Sequence, residues 1–214
     1  MEAPLQRTPV NERPFEADLR AIRRMATVLP GALPVAVNGV RVAASIRPRK
    51  FVIAGGDETP VTMPRTAFQV VYPDCTVMLD SGLDKATHDS FSPDKPEPYF
   101  PEHFVKLERA LNAARLIVLT HHHADHVAGV LTASNFAALA AKTIITMDVA
   151  DCLMNTPHRP HLKLTQAAIE KFIVLDYPHL FNGEDCNALT WFSPSEETRL
   201  NETADQLRSV ISAA

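Results

Sequence analysis

An α/β fold is the class this sequence predicts, on three observations. Leu116-Ile117-Val118-Leu119 places four β-favouring apolar residues in a row, the pattern of a strand covered on both faces. A dense group of metal-ligand residues follows it, and Val127-Ala128-Gly129-Val130-Leu131 then opens a helix, so the group occupies a strand-to-helix turn, where open α/β proteins place their chemistry. Beyond it, helix-like and strand-like segments alternate: a helix over Val127 to Lys142, a strand over Thr143 to Met147, a helix from Asp148 to Met154, a helical stretch over Leu164 to Lys171 and a short strand over Phe172 to Leu175.

The elements before the motif follow from local chemistry. Met1 to Pro14, broken by Pro4 and Pro9, reads as a leader, and Phe15 to Val28 has the spacing of a short amphipathic helix that Pro30 and Pro34 end. Residues 1–30 thus form a leader and helix, and residues 31–214 one domain. Val35-Ala36-Val37, Asn38-Gly39 and Val40-Arg41-Val42 predict a hairpin, because Asn-Gly suits the positive backbone angles of a type I′ turn. Ala54-Gly55-Gly56-Asp57 is a further turn. Phe68 to Tyr72 and Thr76 to Leu79 read as strands joined by Pro73-Asp74-Cys75, ending at Asp80-Ser81-Gly82. Ser92 to Pro101 carries four prolines and must be a long loop, since proline removes donors and fixes φ. Glu102 to Ala114 follows as a helix with Phe104, Leu107 and Leu111 on its apolar face. Near the end, Ser193-Pro194-Ser195-Glu196 has a capping-box pattern, and Leu200, Leu207 and Ile211 give a closing helix its stripe.

The chemistry concentrates in Thr120-His121-His122-His123-Ala124-Asp125-His126, an H-x-H-x-D-H pattern. Neutral imidazole and carboxylate suit zinc, iron or manganese. A run of surface histidines would have no reason to fall between a strand and a helix. With its preceding strand, the stretch resembles the signature of the metallo-β-lactamase-fold hydrolases. The resemblance implies an αββα sandwich with one or two zinc ions, or iron or manganese, held by His121 and His123 at one position and by Asp125 and His126 at the other. Asp125 would also help to orient a nucleophilic water, and His122 receives no ligand role. Thr120 and Asp80, the latter at the end of an early strand as in family members, would support the ligands by hydrogen bonds; Asp80 reads equally as a turn aspartate before glycine. In related hydrolases the stretch corresponding to the proline-rich loop can wall the substrate cleft, which makes Tyr99 and Phe100 candidates, although pinning the loop to the core is the plainer role for both.

The resemblance is incomplete after residue 180. A full family member carries a later histidine in a glycine-rich turn, a bridging aspartate and a final histidine. Here only His158, His161 and His179 follow His126, and Asp148, Asp151, Asp176, Asp185 and Asp205 are the late aspartates. His158-Arg159-Pro160-His161 comes early and lacks glycine, and Tyr177-Pro178-His179 precedes Asn182-Gly183. The expectation is therefore a sandwich whose C-terminal half is shortened, with weak metal binding and a sheet face left for self-association.

Composition bounds the rest. A net charge of −4 and a pI near 6.1 give no electrostatic reason to expect nucleic acid or an anionic membrane as partner. Cys75, Cys152 and Cys186 are odd in number and far apart, against a disulfide framework. No signal-peptide pattern and no apolar run of about twenty residues occurs, so a cytoplasmic protein acting on a small molecule is expected. The function expected is metal-dependent hydrolysis of an uncharged acyl substrate, an ester or a lactone. Two alternatives stand beside it: a catalytically impaired metal-binding or interaction protein derived from such a hydrolase, and a redox-type relative binding a single iron.

Overall fold

The computed structural model describes residues 31–175, with Leu19, Arg20 and Arg23. The expected leader, His179, Asp176, Asp185, Asp205 and the closing helix lie outside the described residues, and the helix expected over Phe15 to Val28 is described only at those three positions, which are helical. Among the described residues the architecture is mixed α/β around one sheet of six strands, in the spatial order of the chain. The strands are β1 (Ala36–Pro48), β2 (Pro60–Val71), β3 (Thr76–Leu79), β4 (Leu116–Val118), β5 (Thr143–Thr146) and β6 (Ile173–Leu175). β1, β2 and β3 are antiparallel neighbours, whereas β3 to β6 run parallel and therefore need crossover connections.

The expected hairpin at Asn38-Gly39 does not form. Both residues lie inside β1, where Asn38 pairs with Gln69 and Gly39 with Phe68. A turn there would give each arm three residues, while the extended strand pairs along the whole of β2, with a bulge between Arg41 and Ala43. Ladder length outweighs the local turn preference, and Asn38 Nδ2 donates to Gln69 Oε1 at 3.1 Å across the pair. The reversal falls instead after Arg49–Phe51, a single 3-10 turn, at the expected turn glycines, with Gly55 at φ +74°. The β2–β3 hairpin closes as expected, Tyr72 N donating to Cys75 O at 2.9 Å.

The proline-rich segment is a loop that ends along β1. Ala44 N donates to Pro98 O and Phe100 N to Val42 O, with a single bridge between Ala43 and Tyr99. This explains why Val42 to Ser45 are all buried, a run that breaks ordinary strand alternation. Glu97 fixes the loop: its carboxylate accepts from Ile46 N and from Arg47 Nη1 and Nη2.

Between residues 31 and 175, six helices pack around the strands: α1 (Lys85–Asp89), α2 (Pro101–Ala113), α3 (Ala124–Leu131), α4 (Phe136–Ala140), α5 (Met147–Asn155) and α6 (Gln166–Ile169). Pro101 opens α2, where its missing N–H is harmless, and Leu107 and Leu111 bury the expected face. The single helix expected over Val127 to Lys142 is two. Thr132, at the end of α3, turns its hydroxyl back to Ala128 O and also towards Asp84 Oδ1, and Thr132 to Asn135 break the helix. α3 also begins inside the motif, so Asp125 and His126 sit on its first turn. Thr146 and Thr165 cap α5 and α6 with their side chains.

β3 and α3 meet at unusually close range. A Cβ built on Gly129 would lie 1.9 Å from Ser81 O, so only glycine allows the approach. Gly129→Ala should therefore lower the unfolding free energy by about 3 kcal/mol, read by urea denaturation; an unchanged midpoint would mean that the contact is looser than described. A second outcome concerns Glu97. Burial alone would raise its pKa, but hydrogen bonds from Arg47 and Ile46 prevail and hold it down at about 2. A depressed carboxylate stabilises above its unfolded value near 4.5 and loses that contribution as pH falls through about 2. Glu97→Gln should remove on the order of 2–3 kcal/mol at neutral pH and flatten the acid limb between those two values.

Candidate metal centre

The site is built where the ends of β3 and β4 meet the start of α3. Asp80 follows β3 with φ +63°, a left-handed conformation that aspartate tolerates better than most residues. Its N–H donates to Val118 O at 2.8 Å, tying it to the end of β4. One carboxylate oxygen accepts from Thr120 N and Thr120 Oγ1 at 2.9 and 2.8 Å, and the other bonds His126 Nδ1 at 2.7 Å. Ser81 N and Oγ both donate to His126 O, at 2.7 and 2.9 Å, and Ser81 Oγ accepts from Val130 N. The end of β3 thus grips the first turns of α3 from both backbone and side chain.

Five imidazoles and one carboxylate converge there. With Nδ1 engaged by Asp80, His126 keeps Nε2 for other work, 3.8 Å from Asp125 Oδ2. The His121 ring lies 3.9 Å from that of His126 and 4.6 Å from that of His123, centroid to centroid. His158, from the segment after α5, stacks 4.5 Å from His123. His122 touches only the outer side of His123 within this group of rings.

Donor atoms of His123, Asp125 and His158 all lie within 4.8 Å of one another. Ligands about 2.1 Å from a tetrahedral zinc stand about 3.4 Å apart, so a modest closing of side chains seats an ion among these three. The four residues of the signature are contiguous: the expected pairs His121 with His123 and Asp125 with His126 each lie side by side, and His158 joins them. His123 shares donors with Asp125 and His158, and His121 packs against both His126 and His123. In the sequence His158 is one of three late histidines and lies outside any glycine-rich turn, so nothing local singles it out from His161 and His179.

The electrostatics suit a cation. His121, His123 and His158 are each pushed below the usual histidine range, first by burial and then by neighbouring imidazoles, so they rest in the neutral, ligating form. His126 moves the other way: burial lowers its pKa, but the Asp80 carboxylate outweighs burial and raises it. Asp80 is correspondingly held below the carboxylate range; burial opposes this, and the bonds from His126 and Thr120 prevail. His158 Nδ1 accepts from Ala124 N at 3.1 Å, at the first residue of α3. An imidazole accepting there carries its proton on Nε2, so ligation by either nitrogen costs His158 this bond.

Beside Asp125 opens a cavity of about 250 Å³, walled by Arg65, Arg47, Phe51, Met63 and Phe91 among others. Tyr99 and Phe100 do not line it. Tyr99 packs against His88 and Phe104, while Phe100 lies against His103 and beneath Arg41, so both hold the loop and α2 to β1. Cys75 and Cys152 are free thiols outside the cluster. Among the described residues no helix is long and apolar enough to cross a membrane.

Residues 62–136 match the family model of the metallo-beta-lactamase superfamily, and the H-x-H-x-D-H pattern lies within that stretch. The matched stretch includes Asp80, His121, His123, Asp125 and His126, though not His158. No curated protein matches the chain. Among solved structures, it is similar to a quorum-quenching N-acyl homoserine lactone lactonase at 12% identity and a TM-score of 0.47, covering 69% of this chain and 59% of that one. A mutant of the B. thuringiensis protein AiiA with N-decanoyl-L-homoserine bound at its active site is similar at 13% identity and a TM-score of 0.46, covering 66% and 58%. AidC, a dizinc quorum-quenching lactonase, is similar at 15% identity and a TM-score of 0.46, covering 69% and 61%. The chain spans about six-tenths of the length of these three solved structures.

Asp80→Asn separates the two duties of this residue. Asparagine tolerates the same backbone angle and can still accept from Thr120, but it withdraws the charge from His126. Zinc affinity measured by competition with a chelator should fall roughly ten- to a hundredfold while the far-ultraviolet circular dichroism is retained. An unchanged affinity would leave Asp80 as a turn residue only.

Proposed function

We propose that this protein is a metal-dependent hydrolase that directs a metal-activated water at an ester, lactone or related acyl carbonyl. The observation that carries the reading is the convergence of His123, Asp125 and His158, with His121 and His126 alongside, next to an open cavity. Two neutral imidazoles and a carboxylate form the donor set of catalytic zinc sites, which keep a fourth position for water. When bound, such an ion brings the pKa of its water towards neutrality and polarises the substrate oxygen.

The chain's own residues supply the rest. His123 and His158 would hold the ion with Asp125, whose second oxygen would accept a hydrogen bond from the attacking water and so orient it. Asp80 fixes the ring of His126 and leaves its Nε2 directed away from that bond, the carboxylate–histidine arrangement that sets tautomer and ring angle at metal sites. His121 and His126 are the donors through which a second ion would be held. An organic acyl substrate fits this site better than a nucleic acid, given the overall negative charge.

Purified with excess zinc and then desalted, the chain should retain at least one zinc per molecule by elemental analysis, and hydrolysis across a lactone and ester panel should track zinc content. His123→Ala with His158→Ala should abolish tight binding, whereas His122→Ala should not. A chain that holds no metal, or that holds it without any turnover across the panel, would overturn the hydrolase reading.

A further inference from the structure

The mechanism above leaves one costly group unused. Arg65, on β2, is 7% exposed and forms no ion pair among the described residues. Its Nε and Nη2 both donate to Ser45 Oγ, at 3.2 and 2.7 Å, and its guanidinium lies 3.8 Å from the ring centre of Phe91. Nη1 is buried without any hydrogen-bond partner. Leaving a charged donor in that state is among the more expensive things a fold can do, and arginine cannot escape by losing its proton.

The surroundings show what is missing. Arg47, also on the cavity wall, is matched by Glu97, so its charge is spent. Ser45 occupies only the Nε–Nη2 side of Arg65, so the end-on edge formed by Nη1 and Nη2 is without a partner among the described residues; Nη1 has almost no accessible surface, and a ligand in the cavity would reach this edge by a turn of the guanidinium. That edge is the planar fork that binds a carboxylate by two parallel hydrogen bonds. Phe51, Met63 and Phe91 give the same cavity an apolar lining, and Asp125 brings the candidate metal centre to its wall. One guanidinium without a paired carboxylate, in a half-open cavity with Phe51, Met63, Pro64 and Phe91 along its wall, matches a single negative charge on a hydrocarbon body better than it matches a doubly charged phosphate.

We propose that Arg65 anchors a carboxylate of the substrate, so that the hydrolase takes an amphiphilic acyl compound bearing a free carboxylate at a distance from its ester or lactone group. The proposal rests on the hydrolase reading for the reacting group, and it replaces the uncharged substrate expected from composition. Net charge averages over the whole surface and is blind to one buried arginine. Asp125 opposes an anion in this cavity until a cation sits beside it, so carboxylate affinity should rise when zinc is bound.

The test uses hexanoate and its neutral counterpart hexanamide, titrated into the full chain with and without zinc. Hexanoate should bind about ten- to a hundredfold more tightly than hexanamide, the worth of a hydrogen-bonded charge, and the preference should persist, weakened, in the metal-free chain. Arg65→Met should bring the ratio near one, and Arg65→Lys should restore only part of it, since lysine has no fork. In the wild type, the Arg65 Nε–H resonance should shift with hexanoate and not with hexanamide, a readout that needs no variant. On substrates, the half-ester 4-nitrophenyl hydrogen glutarate should be preferred over its methyl ester in kcat/KM, with the preference carried by Arg65. A hexanoate preference seen only with zinc and indifferent to Arg65→Met would mean that the carboxylate sits on the metal, and would overturn the proposal. Arg65-dependent carboxylate binding in a chain that neither holds zinc nor turns over ester would sink the hydrolase reading and leave the carboxylate site standing.

Discussion

The Asp80 carboxylate is the constraint on which the rest of the site depends. It sits where β3 stops, in a backbone conformation that costs a non-glycine residue roughly 1–2 kcal/mol, and three groups from two other elements over-determine it. Val118 holds its backbone, Thr120 holds one oxygen and His126 the other. Remove that carboxylate and the turn after β4, the first turn of α3 and the ring of His126 each lose a partner. Strain at a functional site persists only where neighbours outvote it, and here the outvoting bonds are the same ones that aim the candidate ligands.

A second economy follows from crowding imidazoles. His121, His123 and His158 each have their proton affinity lowered by a neighbouring imidazole, on top of burial, so the cluster resists becoming a group of cations and stays available to a single one. His126 is exempted by Asp80. His158 holds a less settled position, because its lone pair already serves the N-terminus of α3 through Ala124. Whatever metal it takes must repay that bond, which sets its affinity below that of a ligand with nothing else to do.

Much of this was legible in the chain. Leu116 to Val118 as a strand, the ligands just past its end, the β2–β3 hairpin, the proline loop and α2 all follow from local rules, because each element's own residues decide it. The misses share one cause, which is that the deciding interaction lies far away in sequence. Asn38-Gly39 would turn in isolation and is overruled by a partner strand some thirty residues on. The helix after the motif breaks at Thr132, partly through Asp84, nearly fifty residues earlier. His158 joins His123 only because α5 and the turn after it carry it back over β5 to the site. Asp80 could be suspected from its place before glycine, but its bond to His126 could not.

Arg47 and Arg65 show the same limit in a sharper form. Both lie on strands, Arg47 at the start of the basic run that Arg49 and Lys50 continue and Arg65 alone between Pro64 and Thr66, but nothing in the sequence says which of the two finds a carboxylate. The structure does so through the proline loop, which delivers Glu97 to Arg47 and offers Arg65 only a serine hydroxyl. A fold selected for stability alone would be served by an apolar residue at position 65, since burying an unmatched guanidinium works against it. Retaining the cation beside a candidate ligand such as Asp125 makes sense when something negatively charged arrives there from outside, and the unpartnered Nη1 is the donor that such a charge would satisfy.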